Sequence, residues 1–198
     1  MSDQPEAFLR IAYCKDLKSG AWESIDGWES MATFTETLKT GCAQGNTKGL
    51  HPVLSWGLSS TVADSSQPSD KMTPGKPGIL SVALDPGVTP VGQMYEAHFG
   101  RESGSGLINY QLYVFRANQA RGSADGSTIH HYLTVTGIAG RIAQIDQSTG
   151  GFHVVLAANR IAWCDHDGSG KGVKGAHTSW EKPGTAGNDN KAMPSSPI

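Results

Sequence analysis

The densest run of chemistry-bearing residues is Asp165-His166-Asp167-Gly168-Ser169-Gly170-Lys171. Asp165, Asp167, Ser169 and Gly170 fall at positions one, three, five and six of a calcium loop, where alternate oxygens meet the cation and a glycine makes the sharp turn. Position twelve must bring a bidentate glutamate, and here it is Ala176, while the residues before Asp165 alternate like a strand rather than a helix. The run therefore reads as a polar turn with Asp165 and Asp167 solvated. Gly170-Lys171 lacks both the earlier glycine and the following Ser or Thr of a phosphate loop. His130, His131, His153, His166 and His177 gather in the C-terminal half, but neighbours on a strand point to opposite faces, so His130 and His131 cannot share one small site. A metal-assisted hydrolase built on His153, His166 and Asp165 has no supporting spacing. No nucleophile elbow is present, and Cys14, Cys42 and Cys164 stand in neither a nucleophile signature nor a C-x-x-C pair. The expectation is no catalytic residue, no metal ligand and no cofactor.

Composition narrows the class. The chain has 198 residues, 37% hydrophobic and 17% charged, with a formal net charge of -2. One globular domain of this length buries a real core. The low charge and a pI near 6.4 give no bulk electrostatic reason to bind nucleic acid or an anionic membrane. No apolar run approaches the ~18 residues of a spanning helix, and the N-terminus lacks a basic stretch followed by an apolar one. Synthesis in the cytoplasm without a cleaved signal is expected, with three reduced thiols.

Strands must position whatever site exists. Apolar and polar residues alternate over 8–13, 31–38, 108–115 and 132–136, with further candidates at 79–84, 141–145 and 152–163, the last long enough to bend or bulge. Gly- and Ser-rich breaks at 103–106, 121–127 and 148–151 are expected as hairpin connections. One helix is predicted, with Thr89 as cap, Pro90 at its first position, Val91, Met94, Tyr95 and His98 on one face, and Gly100 as stop. These elements predict a mainly β fold, a barrel or sandwich with one short helix packed on it, and an antiparallel barrel of two packed sheets is the form expected. Residues 39–78 read as a long extended loop carrying one apolar island, 51–58, and residues 183–198 have the composition of a disordered tail, leaving 1–182 as a single domain. Trp56, isolated in that polar excursion, either packs on the core edge or buries against a neighbouring subunit.

The C-terminal strand carries a resemblance. Val154 to Trp163, leading into Asp167-Gly-Ser-Gly-Lys-Gly-Val-Lys-Gly-Ala176 and Trp180, resembles the end of the Hcp (haemolysin-coregulated protein) family, tail-tube subunits of the bacterial type VI secretion system. There a strand with Ile or Val near an aromatic precedes a Gly/Lys turn and a closing aromatic. Tyr110 to Arg116 and His130 to Ile145 resemble its central hairpin, Ile79 to Leu84 with the helix through His98 its strand and short helix, and Phe8 to Ile11 with Ala21 to Ile25 its first hairpin. The resemblance spans roughly 6–182 by the order of its blocks. Residues 39–78 are longer and more polar than the family pattern, and the tail after Lys182 has no counterpart.

The resemblance implies a non-enzymatic subunit of six-membered rings that stack into a hollow tube inside a sheath. The tube is ejected with a spike and can carry small effectors in its lumen. Its partners would be copies of itself, sheath, and spike or baseplate proteins, with secretion following cytoplasmic assembly. The excursion falls where family members reach a neighbour, which makes His51, Val53, Leu54, Trp56 and Leu58 the candidate contacts between subunits or rings. Position in the family's second strand makes Glu29 and Met31 candidate lumen residues. A contractile phage tail-tube protein shares this physics, and a small lectin-like module using exposed Trp and loop Asp or Asn is the alternative from a different class.

Overall fold

The computed structural model describes residues 7–16, 20–27, 50–61, 76–100, 106–117, 129–149, 151–166 and 172–181. Nine strands and one helix follow in the order β1 (Ala7–Asp16), β2 (Ala21–Ser24), β3 (Leu50–Thr61), β4 (Lys76–Leu84), α1 (Val91–Phe99), β5 (Ile108–Ala117), β6 (Ile129–Ser148), β7 (Gly151–Ala157), β8 (Arg160–His166) and β9 (Gly172–Glu181).

The antiparallel ladders β1-β3-β4-β7-β6-β5 return to β1 and close a six-stranded barrel, with β2 hydrogen-bonded to β1 and the β8-β9 pair attached along β6. Strict alternation builds the lining. Leu9, Ile11, Leu112 and Tyr110 stand on the inner face of β1 and β5, in register as Leu9↔Leu112 and Ile11↔Tyr110. Leu80, Val82 and Leu84 of β4 oppose Leu156, Val154 and Phe152 of β7 on the same side. All ten are buried, so the interior is packed side chain rather than a channel.

Two bent strands join the two sheets. β3 pairs with β1 through Leu50 to Val53 and with β4 from Val53 onward, turning at a bulge between Val53 and Ser55. β6 pairs with β5 and β8 along its first half and with β7 along its second, turning at Ala139-Gly140. Ala139 sits at φ 51, and a Cβ on Gly140 would run into the Ala157 carbonyl. The expected separate strands at 132–136 and 141–145 are thus one bent strand, because the pairing carries on through the bend. The expected single strand 152–163 is two strands, β7 and β8, parted at Ala158-Asn159.

The 39–78 segment is not one long loop. Its apolar island is β3, a wall of the barrel, and its end is the start of β4. The bulge explains the misreading, because it lets Val53 and Trp56, three residues apart, both face inward and so breaks the period of two. The 103–106 break follows α1 instead of joining a hairpin, whereas 148–151 closes the β6-β7 hairpin at Ser148↔Gly151. The expected strand 31–38, the turn 121–127 and the tail 183–198 lie outside the described residues.

α1 buries Met94 and Ala97 in the barrel core. Pro90 occupies the cap position and not the first helical turn, and no side chain caps the helix; Thr89 is buried beside it. The start is held by backbone bonds, the Gln93 and Met94 amides donating to the Pro90 carbonyl at 3.0 and 3.2 Å. Gly100 ends α1 at φ 69, as its position suggested.

Candidate functional site

β1 has one edge shared by two partners: its first half takes β3 and its second half takes β2, with the Ile25 amide donating to the Ile11 carbonyl at 3.0 Å. His51 closes that seam. It stands opposite Leu9, faces the core, and its Nε2 donates to the Ile25 carbonyl at 2.6 Å. Burial lowers its pKa from 6.5 to about 4, outweighing the hydrogen bond to Ile25 and nearby Asp26, which act the other way. The imidazole is therefore neutral at physiological pH and serves as a structural clamp.

The outer face of β3, β4, β7 and the end of β6 is built differently. Register aligns Ser55, Ala83, His153 and Asp146 in one row across four strands, and Gly57, Ser81, Val155 and Gln144 in the next. Small side chains at Gly57, Ser81 and Ala83 leave a shallow depression of about 300 Å³ between His153 and Asp146 on one side and Ser55 and Trp56 on the other. Asp146 accepts a 2.6 Å hydrogen bond from the Gln144 amide. Asp146 and His153 stand opposite each other on β6 and β7, and among the described residues no group of three His, Cys, Asp or Glu side chains that could hold a metal ion comes together. This face offers shape and hydrogen-bonding groups.

The residues singled out from sequence are dispersed. His51 and Val53 lie inside the barrel at 0% and 3% exposure. Trp56 and Leu58 are half-buried and pack against the core, and Leu54 is 58% exposed. Asp165 and His166 stand in β8 rather than in a turn, His130 and His131 are adjacent on β6, and His177 lies on β9. His153 is exposed on β7. Cys14 is buried and Cys164 half-buried, and neither is in a disulfide. Glu29, Met31, Asp167 and Cys42 lie outside the described residues. Sequence reasoning missed Gly57, Ser81, Ala83 and Asp146, whose proximity exists only through register. It also missed Phe99, at the end of α1 and 77% exposed.

The barrel with a bent β6 shared between two sheets is the deciding observation. Solved structures of similar overall fold include an Hcp1 protein from E. coli EAEC 042 pathovar, which matches 89% of this chain and 98% of its own at TM-score 0.52 and 12% identity. A second Hcp protein matches 88% and 98% at TM-score 0.53 and 12% identity. The chain has the Hcp fold. The secreted protein Hcp3 from Pseudomonas aeruginosa matches 89% of the chain and 99% of its own length at TM-score 0.50 and 15% identity. Comparison with family profiles and with curated proteins finds no match. The Hcp likeness covers 88–89% of the chain. Among the described residues no helix is long and apolar enough to cross a membrane.

Proposed function

We propose that this chain is a tube subunit of a type VI secretion system, assembling into six-membered rings that stack into a hollow, ejected tube. The observation that carries the reading is the Hcp fold across 88–89% of the chain. The role is structural and transporting, with no turnover. Assembly takes place in the cytoplasm inside a sheath and against spike or baseplate proteins, and release follows with the tube. Small effectors ride in the lumen, whose wall includes Glu29 and Met31. Contacts between subunits or rings run through β3, which carries His51, Val53, Leu54, Trp56 and Leu58, with Leu54 the most exposed of them.

A closed ring needs two different patches on each copy, one meeting the other on the next copy, and the same logic along the axis gives an open stack. Native mass and negative-stain imaging of the purified full chain at micromolar concentration test the reading. Rings of six copies with a central hole are expected, and a monomer across the whole concentration range overturns it. Cysteines placed at Glu29 or Met31 should crosslink a lumenal cargo, and no labelling at either position removes them from the wall.

A further inference from the structure

Phe99 is the most exposed large apolar side chain among the described residues, yet it is not loose. Its ring stacks on Tyr95 with centroids 6.0 Å apart and planes 15° apart, and contacts the His98 ring at 5.0 Å. Tyr95 in turn meets the buried Phe152 edge-on at 6.2 Å. His98 anchors the helix end by donating from Nδ1 to the Ile142 carbonyl at 2.8 Å. An aromatic ladder thus runs from the core to the surface and holds Phe99 outward as a rigid knob. A side chain already fixed in one geometry loses little rotamer freedom when it docks.

The depression on the outer face of β3, β4 and β7 is the complementary half. Its 300 Å³ is ample for one phenyl ring, since a cavity of about 150 Å³ holds benzene. Its floor, Gly57, Ser81 and Ala83, is small enough for close approach, and Val155, in the same outward row as Gly57 and Ser81, adds apolar contact. No residue of α1 lines it. Phe99 of the same copy stays in solvent, so only another chain can unite knob and depression.

We propose that Phe99 of one copy seats in the Gly57/Ser81/Ala83 depression of a second copy, forming the head-to-tail contact between neighbouring subunits. The proposal rests on the tube-subunit reading and names the two surfaces that such a ring requires. A knob and a pocket on different parts of one chain give a heterologous interface that closes into a ring or runs on as a filament, whereas two copies that exchange knobs reciprocally stop at a symmetric dimer, and the wild-type mass separates the two.

The test uses the full chain and the mass it adopts in solution. Phe99→Ser removes the knob from an exposed position. Gly57→Glu fills the depression, and a Cβ at Gly57 meets nothing within 4 Å, so the change leaves the fold intact. Ser81→Glu blocks the same depression from β4. Each variant is expected to weaken self-association about thirty-fold or more, the loss expected of a central aromatic anchor, and to appear as a monomer with an unchanged circular dichroism spectrum. Mixing Phe99→Ser with Gly57→Glu decides the geometry. The first keeps an intact depression and the second an intact knob, so the mixture should form a heterodimer that grows no further. Wild-type-sized rings from all three variants, or no recombination in the mixture, overturn the proposal while the tube reading stands. A wild-type chain that is monomeric at every concentration overturns both.

Discussion

Tyr110 is fully buried in the barrel, and its ring lies over Gly137, its direct partner on β6. A Cβ at Gly137 would overlap the ring, so the glycine is there to make room. Gly137→Ala must displace a large side chain surrounded on all sides, and the expected cost is about 1–3 kcal/mol, read from the urea midpoint. A midpoint equal to wild type would show that the ring is free to move. Two residues on, Ala139 occupies the left-handed region at φ 51, with its amide held by the Asn109 side chain at 2.9 Å. The alanine Cβ is strained there and glycine is not. Ala139→Gly is expected to raise stability by about 1 kcal/mol, whereas an unchanged or lower melting temperature would mean that the Asn109 bond alone sets the bend.

At the scale of elements, β2 and β3 meet end to end along one edge of β1, and His51 is the group that spans the junction. Its pKa of about 4 in the fold lies below the usual 6.5, so the unfolded chain binds a proton first as the pH falls. Stability is therefore full above pH 6.5 and falls as the pH drops toward 4, by a total of about 3 kcal/mol. His51→Gln should flatten that part of the profile in denaturant titrations, and an equally steep decline in the variant would assign the loss to other groups. The same elements show what patterning reveals. β1, β4 and β5 were legible because Leu9 and Ile11, Leu80 and Val82, and Tyr110 and Leu112 keep a strict period of two. β3 was not, because Pro52, the bulge after Val53 and Gly57 disrupt its alternation and the polar residues around it resemble a loop. The depression was invisible for a different reason: Gly57, Ser81 and Asp146 come from three strands, and only the register places them side by side.

Closure of the barrel sets the behaviour of the whole molecule. β1 pairs with β5 across about a hundred intervening residues, and every strand of the ring is hydrogen-bonded along both sides for part of its length. The two sheets are not separate units, because β3 and β6 belong to both. Opening either sheet means breaking a ladder in the other and exposing a lining that includes Leu9, Leu112 and Val154, all fully or almost fully buried. Local opening thus costs nearly as much as complete unfolding, of the order of 5–15 kcal/mol for a domain. β2 differs: four residues long, half-buried to exposed, it pairs with β1 alone among the described strands. Native-state hydrogen exchange should show the amides of Leu9, Leu112 and Val154 merging into one slow, denaturant-dependent class, while Glu23 on β2 exchanges faster and with little denaturant dependence. If Leu9 and Val154 instead opened with different denaturant slopes, the two sheets would be independent, and the bends in β3 and β6 would be hinges rather than the welds that make the barrel a single cooperative unit.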